Sequence, residues 1–441
     1  MVSRMAKGVR WSVVSVLGAV AAAVLLWCAS HFWPMPDKQR SALALMRTQV
    51  PAEGRNGYAL LWMLDFDGMD DSSRAAAMAV DAARWQAAPD LAGGVRMSAE
   101  GDHPRVAYPQ GRYCSGPTGA CLEQVRSDPQ RFARAHAGHA GLHARVSQTA
   151  AFRHFTSPWD SQVAAIMLPF PALNGLTDPV TAHALAHVQG DTAGALQGLC
   201  SGLLAGRRLL SGSDTLLASS VGMAMVELNG GVLGEVLAEL PRDASLPAAC
   251  TAALRPMTAA ETSLCRPLQG EMRYAGMAMR YSARSPGSVL VLDTERSLAR
   301  LATAHAWACD PAQQQRLGED RQIAAPTQAT HGFDCVANLA GCELSDIPAQ
   351  LYLRYAGRSQ DAAAMVRLLA AQQWLRTQSG SPADALARLP VALRSATRAP
   401  HADAEGRWLQ VARRDTSRRP DDRLLRVPLR WDPEPSRQAA K

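Results

Sequence analysis

The chain has 441 residues, of which 47% are hydrophobic and only 5% aromatic, and its formal net charge is +7. The positive charge lies at the two ends, because residues 1–40 hold five basic and one acidic residue and residues 394–441 hold twelve basic and seven acidic residues. The body between them is slightly acidic, which argues against a nucleic-acid-binding domain with a basic face. Alanine and leucine dominate the hydrophobic residues, and this predicts a mainly α fold that can bury its own core.

The segment of residues 11–33, WSVVSVLGAVAAAVLLWCASHFW, contains no Lys, Arg, Asp or Glu and predicts a transmembrane helix. As an α-helix its 23 residues span about 34 Å, enough to cross a hydrocarbon core of about 30 Å. The tryptophans at its ends suit the headgroup layers, and the basic residues ahead of it favour a cytoplasmic N-terminus at residues 1–10. We therefore expect a single-pass protein of the bacterial inner membrane, with residues 34–441 in the periplasm.

A cleaved signal peptide is the alternative to a permanent anchor. Cys28 and Ser30 are small residues in the minus-three and minus-one positions before His31, as a signal peptidase requires. A lipoprotein would carry its lipid on Cys28, but a small residue normally precedes the lipidated cysteine and here the bulky Trp27 does. We therefore do not favour this alternative.

Four regions follow the predicted membrane helix. Their boundaries are set by helical periodicity and by cysteine-bearing loops. They are a juxtamembrane helical region with a cysteine loop (34–172), a core of helical hairpins (173–300), a second cysteine-containing loop (301–345), and C-terminal helices with a basic tail (346–441).

In the first region, apolar residues at helical spacing predict helices over residues 41–55, 70–86 and 129–152. The Asp and Ser residues of DDSS, just before Arg74, suit the N-cap of the second of these helices. The stretch of residues 89–117 is rich in Gly and Pro, which predicts an irregular segment.

Between residues 182 and 240 the pattern predicts three helices separated by two short turns, Gly190-Asp191 and Gly212-Ser213-Asp214. Each turn can end one helix with glycine and cap the next with an oxygen-bearing side chain. One stripe of the middle helix must face a neighbouring helix. It consists of Leu196, Leu199, Leu203 and Leu210.

The C-terminal segment has a different pattern. Residues 407–412 and 424–431 flank a charged turn and predict a short β appendage, with a transient tail as the alternative. The basic residues here could contact anionic lipid or cell-wall polymer, but the interleaved Asp415, Asp421 and Asp422 favour a solvated segment.

Eight cysteines remain after the predicted membrane helix, and an even number fits a disulfide-bonded protein in an oxidising compartment. Two pairs share a CxxxxxxC spacing in loop-like stretches, which predicts local bridges from Cys114 to Cys121 and from Cys335 to Cys342. The remaining four cysteines then predict a bridge across a Pro-bearing connection and a bridge between distant segments. These are Cys250 with Cys265, and Cys200 with Cys309.

The predicted hairpin of residues 182–212 resembles a TPR-like helical hairpin, and a looser echo of it appears near the C-terminus. The residues that carry the likeness are Ala184, Gly190, Asp191, Ala195 and Leu196, and later Gly380, Ala385 and Leu386. As a whole, the arrangement also resembles a group of uncharacterised single-pass bacterial envelope proteins. The shared features are YALLWMLDFD after the anchor, the cysteine loops, the GDTAGALQGLCSGL helix pair and the closing ALRSATRAPHADAEGRWLQVA. The resemblance implies an envelope location and no activity.

Histidines are the first candidates for chemistry. HAGHAGLH places His136, His139 and His143 within about 60° of one another around one helix, and imidazole nitrogens are good zinc ligands. One helix can hardly wrap three ligands around one ion, so a site would need a further ligand from His154 or from the pair His183 and His187. We therefore expect a structural or surface stripe, with metal binding and pH sensing as alternatives.

A second histidine pair, His183 and His187, lies one helical turn apart in HALAH. A zinc metalloprotease would carry a glutamate after the first histidine, whereas Ala184 stands there. The pair is therefore an alternative set of metal ligands without a catalytic base.

Other motifs have simpler explanations. Residues 198–202 fit a GxCxG nucleophile elbow around Cys200, but that motif needs a strand-to-helix turn and here lies within a helical pattern. The acidic run of residues 65–71 has its glycine at the wrong position for an EF-hand, so we expect a turn that leads into a capped helix. Five methionines fit core filling: Met223, Met225, Met272, Met277 and Met279.

No coherent active-site set emerges, so we assign no catalytic, cofactor-binding or metal-binding residue from the sequence. The sequence favours a noncatalytic interaction, scaffold or inhibitor protein of the cell envelope that is held in the inner membrane by residues 11–33. We expect it to have an envelope protein partner and no nucleic-acid partner. The alternatives are an envelope hydrolase with a histidine-bound metal or a Cys200 nucleophile, and a cell-wall polymer binder.

Overall fold

The computed structural model is mainly helical, with a small three-stranded antiparallel sheet near the C-terminus. It describes residues 2–48, 52–89, 97–109, 111–114, 120–324, 330–346, 349–379, 381–395, 397–415 and 422–429. The α-helices are α1 (Val2–His31), α2 (Asp37–Arg47), α3 (Tyr58–Trp62), α4 (Asp71–Ala87), α5 (Cys121–Ser127), α6 (Pro129–His136), α7 (Ala140–Gln148), α8 (Pro179–Val188), α9 (Thr192–Gly212), α10 (Leu216–Glu239), α11 (Ala248–Ala253), α12 (Ala259–Thr262), α13 (Cys265–Ser282), α14 (Thr294–His305), α15 (Pro311–Gly318), α16 (Leu339–Ser345), α17 (Ala349–Arg376) and α18 (Pro382–Ala387). The strands are β1 (His401–Ala402), β2 (Trp408–Ala412) and β3 (Leu424–Pro428).

Helix α1 begins well before the predicted membrane segment and leaves its apolar side chains bare. Its stretch Val13–His31 has a mean hydropathy of 2.3, and only 6% of its most apolar part is buried. An unpacked apolar helix near an N-terminus fits a single membrane span or a signal sequence by its length and composition. Helix α10 is also long and apolar, but 67% of its most apolar part is buried. It is the central helix of the core.

The core is built around the antiparallel pair of α9 and α10, with α8 and α11 against α9 and α17 against α10. The four leucines of the predicted α9 stripe are all buried, as expected. Glycines let the pair approach closely, because a Cβ on Gly206 would lie 2.8 Å from the carbonyl oxygen of Gly222. The five methionines predicted to fill the core are buried.

The turns between these helices follow the prediction in part. Gly190 has a φ of +98°, and the carboxylate of Asp191 accepts a hydrogen bond from the backbone of Gly194 at the start of α9. At the second turn the N-cap of α10 is Thr215, one residue later than expected. Asp214 instead contacts Ser157 and Arg273.

Of the three helices predicted in the first region, one is confirmed, one is displaced and one is wrong. Helix α4 lies within one residue of its predicted bounds, and Asp70 caps it by accepting from the backbone of Ser73. Helix α2 starts four residues before the predicted segment of residues 41–55 and ends eight residues before its end. The helix predicted over residues 129–152 is wrong, because the chain breaks between α6 and α7. Gly138 has a φ of +85° there, which is a conformation that glycine adopts easily.

Four disulfides are formed, and two of them have the predicted local pairing. The predicted long-range pairing is wrong, because the structure joins Cys200 to Cys250 and Cys265 to Cys309. Helix α11 folds back onto α9, which brings the Cα atoms of Cys200 and Cys250 to 4.9 Å. Cysteines that are close in sequence are therefore not paired here, because the short helix α11 packs on the distant helix α9. Disulfides of this number fit an oxidising compartment.

We expect proteolysis without reduction to release one linked peptide pair containing Cys200 and Cys250, and another containing Cys265 and Cys309. Mass spectrometry reads both directly. The double variant Cys200→Ser/Cys250→Ser should lose about 2 to 4 kcal/mol of unfolding free energy, because the bridge no longer restricts the unfolded chain. A peptide joining Cys250 to Cys265 would contradict the fold.

The C-terminal segment is an ordered sheet of order β1-β2-β3, which confirms the predicted β appendage. Strand β2 pairs antiparallel with β3, with Gln410 opposite Arg426. Alternate residues of β2 and β3 are buried against α17 and α10. The predicted charged turn falls mostly on residues 416–421, outside the described residues, and so does the end of the tail. Gly380 of the second TPR-like echo also lies outside them.

His305 at the end of α14 provides a pH-dependent contribution to stability. Its ring is fully buried against Tyr352, with Nδ1 donating to the carbonyl oxygen of Leu301 at 2.8 Å. Burial lowers the pKa of His305 to about 4 despite that hydrogen bond. Because an unfolded histidine titrates near pH 6.5, the unfolded state takes up the proton first, and stability is lost as pH falls from about 6.5 towards 4.

We therefore expect His305→Phe to lose about 2 kcal/mol less unfolding free energy than the parent between pH 7 and pH 4.5. Urea unfolding of both proteins at the two pH values measures this. Equal losses in the two proteins would mean that His305 is not buried in its neutral form.

Candidate metal centre

Three histidines converge because the chain breaks between α6 and α7. His136 is the last residue of α6, His139 precedes α7, and His143 lies one turn into α7. With Gly138 in the left-handed region between them, the rings point towards one another instead of forming a stripe on a straight helix. The pairs of ring centroids lie 5.7 to 6.1 Å apart.

The fourth member of the cluster is Asp178, which directly precedes α8. An aspartate in that position usually caps the helix, but the Asp178 side chain makes no capping hydrogen bond. Its carboxylate is fully buried and faces the histidines instead. Oδ2 lies 3.2 Å from Nδ1 of His136, 2.8 Å from Nδ1 of His139 and 3.1 Å from Nε2 of His143.

The outer atoms of these residues have partners of their own. Nε2 of His136 lies 2.9 Å from the carbonyl oxygen of Arg112, and Nε2 of His139 lies 2.8 Å from that of Ala107. Oδ1 of Asp178 forms an ion pair of 2.9 Å with Nε of Arg112. In metal centres, outer contacts of this kind fix the tautomer and orientation of the ligands.

These contacts leave an electron-rich centre. A backbone carbonyl can only accept, so Nε2 of His136 and of His139 must donate their protons outwards. In the neutral ring Nδ1 is then an unprotonated acceptor, and both Nδ1 atoms point at another acceptor, Oδ2 of Asp178. Nδ1 of His136 is buried without a hydrogen-bond partner. Either extra protons or a metal cation must occupy the space between these lone pairs.

The dimensions suit a metal ion. One ligand atom from each of His136, His139, His143 and Asp178 lies within 4.8 Å of the other three. Tetrahedral zinc with ligand distances of 2.0 to 2.2 Å separates its ligands by about 3.3 Å. The carboxylate oxygen would have to withdraw by a few tenths of an ångström to admit the ion.

The electrostatics of Asp178 show how strongly the cluster favours an anionic carboxylate. Burial alone would raise the pKa of Asp178, but its contacts with His136, His143 and His139 outweigh burial and hold that pKa well below its ordinary value. These contacts therefore favour the ionised carboxylate, which is the form that binds a metal ion.

His183 lies beside the cluster but outside the set of four. Its ring centroid is 6.4 Å from that of His143, and its ring fills the space that the absent side chain of Gly198 leaves. Burial, followed by repulsion from His143 and His136, lowers the pKa of His183 to about 4. His183 therefore forms a neutral, packed wall of the centre.

The other sequence candidates do not join a site. His187 contacts Thr192 and Glu239, and His154 contacts Thr156 and the carbonyl oxygen of Gly54. Cys200 of α9 is bonded to Cys250 of α11, so the nucleophile-elbow alternative lacks a free thiol in this structure.

The acidic run of residues 65–71 does not gather around one ion. Asp65 accepts from Tyr108 at 2.6 Å, Asp67 pairs with Arg145 at 2.6 Å, and Asp70 caps α4. These contacts support the expected turn and helix cap over a calcium loop.

Sequence reasoning found the three histidines and missed Asp178 and Arg112. The sequence predicted one straight helix over residues 129–152, and on such a helix the three histidines cannot meet at a common centre. Asp178 stands before Pro179, a usual helix start, so it was indistinguishable from a helix cap. The glycine in HAGH was the available signal that the helix could break.

Comparisons of the chain with models of protein families, with curated proteins and with solved structures found no match. The resemblance to single-pass envelope proteins and to TPR hairpins therefore stays an expectation from the sequence.

Proposed function

We propose that the protein is anchored in the bacterial inner membrane by α1, and that its helical body in the periplasm binds one zinc-class divalent cation at His136, His139, His143 and Asp178. The observation that carries the metal proposal is the pair of histidines whose Nε2 atoms are committed to carbonyl oxygens while their Nδ1 atoms face Oδ2 of Asp178. The bare apolar surface of α1 and the four disulfides support the location.

The centre supports a structural role for the metal. Structural zinc sites have four protein ligands, whereas catalytic ones keep a position open for water or substrate. Here the carboxylate and two of the histidines are at least nine-tenths buried, and His143 is only 18% exposed at its side chain. An ion would tie α6, α7 and the start of α8 together. This favours a noncatalytic interaction protein with an envelope partner over a hydrolase.

Metal content of the full-length protein tests the centre. The protein is purified in detergent without a polyhistidine tag or chelator, and metals are quantified per chain by mass spectrometry. We expect close to one zinc-class ion in the parent protein and almost none in His139→Ala. The matched control is His187→Ala, because this histidine lies on α8 outside the cluster and its loss should leave the metal in place.

Two results would count against the metal proposal. One is a parent protein that holds no metal even after dialysis against zinc. The other is equal metal loss in His139→Ala and His187→Ala, which would indicate general destabilisation or surface binding. Circular dichroism of both variants shows whether they remain folded.

The anchor has its own test. Membranes from expressing cells are washed with alkaline carbonate, and the retained protein is digested and sequenced by mass spectrometry. We expect the full-length chain in the pellet, with peptides preceding Trp11 present. Recovery of a soluble chain that begins near His31 would show that α1 is a cleaved signal sequence.

A further inference from the structure

The end of α1 forms several hydrogen bonds with the rest of the chain, which we call the body (residues 34–441). Nε1 of Trp27 donates to the carbonyl oxygen of Leu290 at 2.6 Å, and Oγ of Ser30 donates to that of Phe333 at 2.7 Å. Arg296 donates to the carbonyl oxygens of His31 and Trp33 at 2.6 Å, which satisfies groups that a helix end leaves without partners. These contacts set the position of the body relative to the last turn of α1.

These contacts also fix the level along α1 at which the body begins. Trp27 lies within the apolar stretch Val13–His31, and at 1.5 Å per residue it is about 6 Å from the helix end at His31. The Leu290 carbonyl beside it therefore lies level with the last turn of the apolar helix. If α1 spans a bilayer, this level is the boundary between acyl chains and headgroups.

Exposed apolar side chains gather at that level. Val289, Leu290 and Val291 are 69%, 56% and 39% exposed, and Val336 and Leu339 are 48% and 57% exposed. We call these five residues the apolar rim.

The two halves of the rim are held together by a backbone hydrogen bond, and a charged residue adjoins the second half. The backbone of Ala340 donates to the carbonyl oxygen of Val291 at 2.9 Å, and the disulfide between Cys335 and Cys342 closes the second half. The exposed Glu343, one turn beyond Leu339, bounds the rim on α16. Contiguous exposed apolar surface with a polar border is typical of a docking surface.

We infer that the apolar rim inserts into the leaflet of the lipid bilayer that faces the body, so that the protein holds the membrane by a helix and by a monotopic surface beside it. The inference rests on the proposed membrane span of α1. Its occupant is lipid because the rim is continuous with α1 and lies at interfacial depth, where apolar side chains bury in the acyl boundary. A body held in this way cannot swing freely about its anchor.

Photolabelling in a bilayer tests the rim. The full-length protein is placed in phospholipid nanodiscs that contain a phosphatidylcholine with a photoactivatable diazirine in its acyl chain, and labelled peptides are mapped after irradiation. We expect label on α1 and on the peptides that contain residues 288–291 and 333–344. The peptide containing Val391, which is 83% exposed in a different part of the chain, should stay unlabelled.

The variant Leu290→Glu/Val336→Glu provides the second measurement. Label on both rim peptides should fall to the level of the Val391 peptide, while label on α1 stays unchanged and Val391→Glu alters nothing. Label on α1 but not on the rim in the parent protein would overturn the inference and leave the anchor intact. A chain without α1, or an unlabelled α1, would overturn the anchor together with the rim.

Discussion

Replacing Arg398 with methionine should lower the free energy of unfolding by about 3 to 5 kcal/mol, because it removes the cation shared by two buried carboxylates. Arg367 still pairs with Asp320 at 2.7 Å, so the larger part of the loss should come from Asp361. The Arg398 guanidinium contacts Asp320 at 2.6 Å and Asp361 at 2.6 Å, and these carboxylates are 2% and 0% exposed. It also donates to the carbonyl oxygens of Gln360 and Ala412. One side chain thus joins α17, the segment after α15 and the C-terminal sheet.

The effect should reach the sheet, because Asp361 also accepts hydrogen bonds from the backbones of Arg414 and Asp415. Urea unfolding followed by circular dichroism measures the loss, and early hydrogen exchange in β2 and β3 locates it. Arg407→Met is the matched control, since this arginine is exposed at the start of β2, and surface changes usually stay within about 0.5 kcal/mol. A loss of under about 1 kcal/mol in Arg398→Met would mean that the network is not formed as described.

Zinc should stabilise the protein by about 4 kcal/mol when the free ion is at 1,000 times its dissociation constant, because only the folded chain assembles the four ligands. Chelation should remove this stabilisation in the parent protein. We expect His143→Ala to abolish the response to zinc and to chelator alike. His143 is the most exposed of the four ligands, so its removal should disturb packing least.

His187→Ala should respond to zinc as the parent does, since it lies on α8 and outside the cluster. The measurement is the denaturant midpoint of each protein with zinc and with chelator. If the histidines instead share extra protons with Asp178, the parent protein will show no zinc response. His143→Ala will then change stability equally with and without the ion.

Helix periodicity predicted much of the fold. The stripe of leucines in α9 and the turn at Gly190 and Asp191 were visible because core burial imposes a period of 3.6 residues on a helix. The alternating strands β2 and β3 were visible for the corresponding reason. These features depend on residues near one another in sequence.

Features that depend on distant contacts were not predictable in the same way. The pairing of Cys200 with Cys250 follows from the packing of α11 on α9, which no local pattern records. The proposed metal centre depends on one backbone turn at Gly138 and on a carboxylate about 40 residues downstream of the histidines. Asp178 has the local features of a helix cap, so only the folded chain reveals that it faces His139.

Zinc X-ray absorption of the full-length protein, loaded with one equivalent of the ion, tests the proposed metal centre most directly. We predict four nitrogen or oxygen ligands at about 2.0 to 2.2 Å and the scattering signature of three imidazole rings in the parent protein. His143→Ala should lose that signature, because it no longer holds the ion at this site. A spectrum of a water-rich, six-coordinate ion that is unchanged in His143→Ala would contradict the account, since the cluster at Asp178 would then not hold the metal.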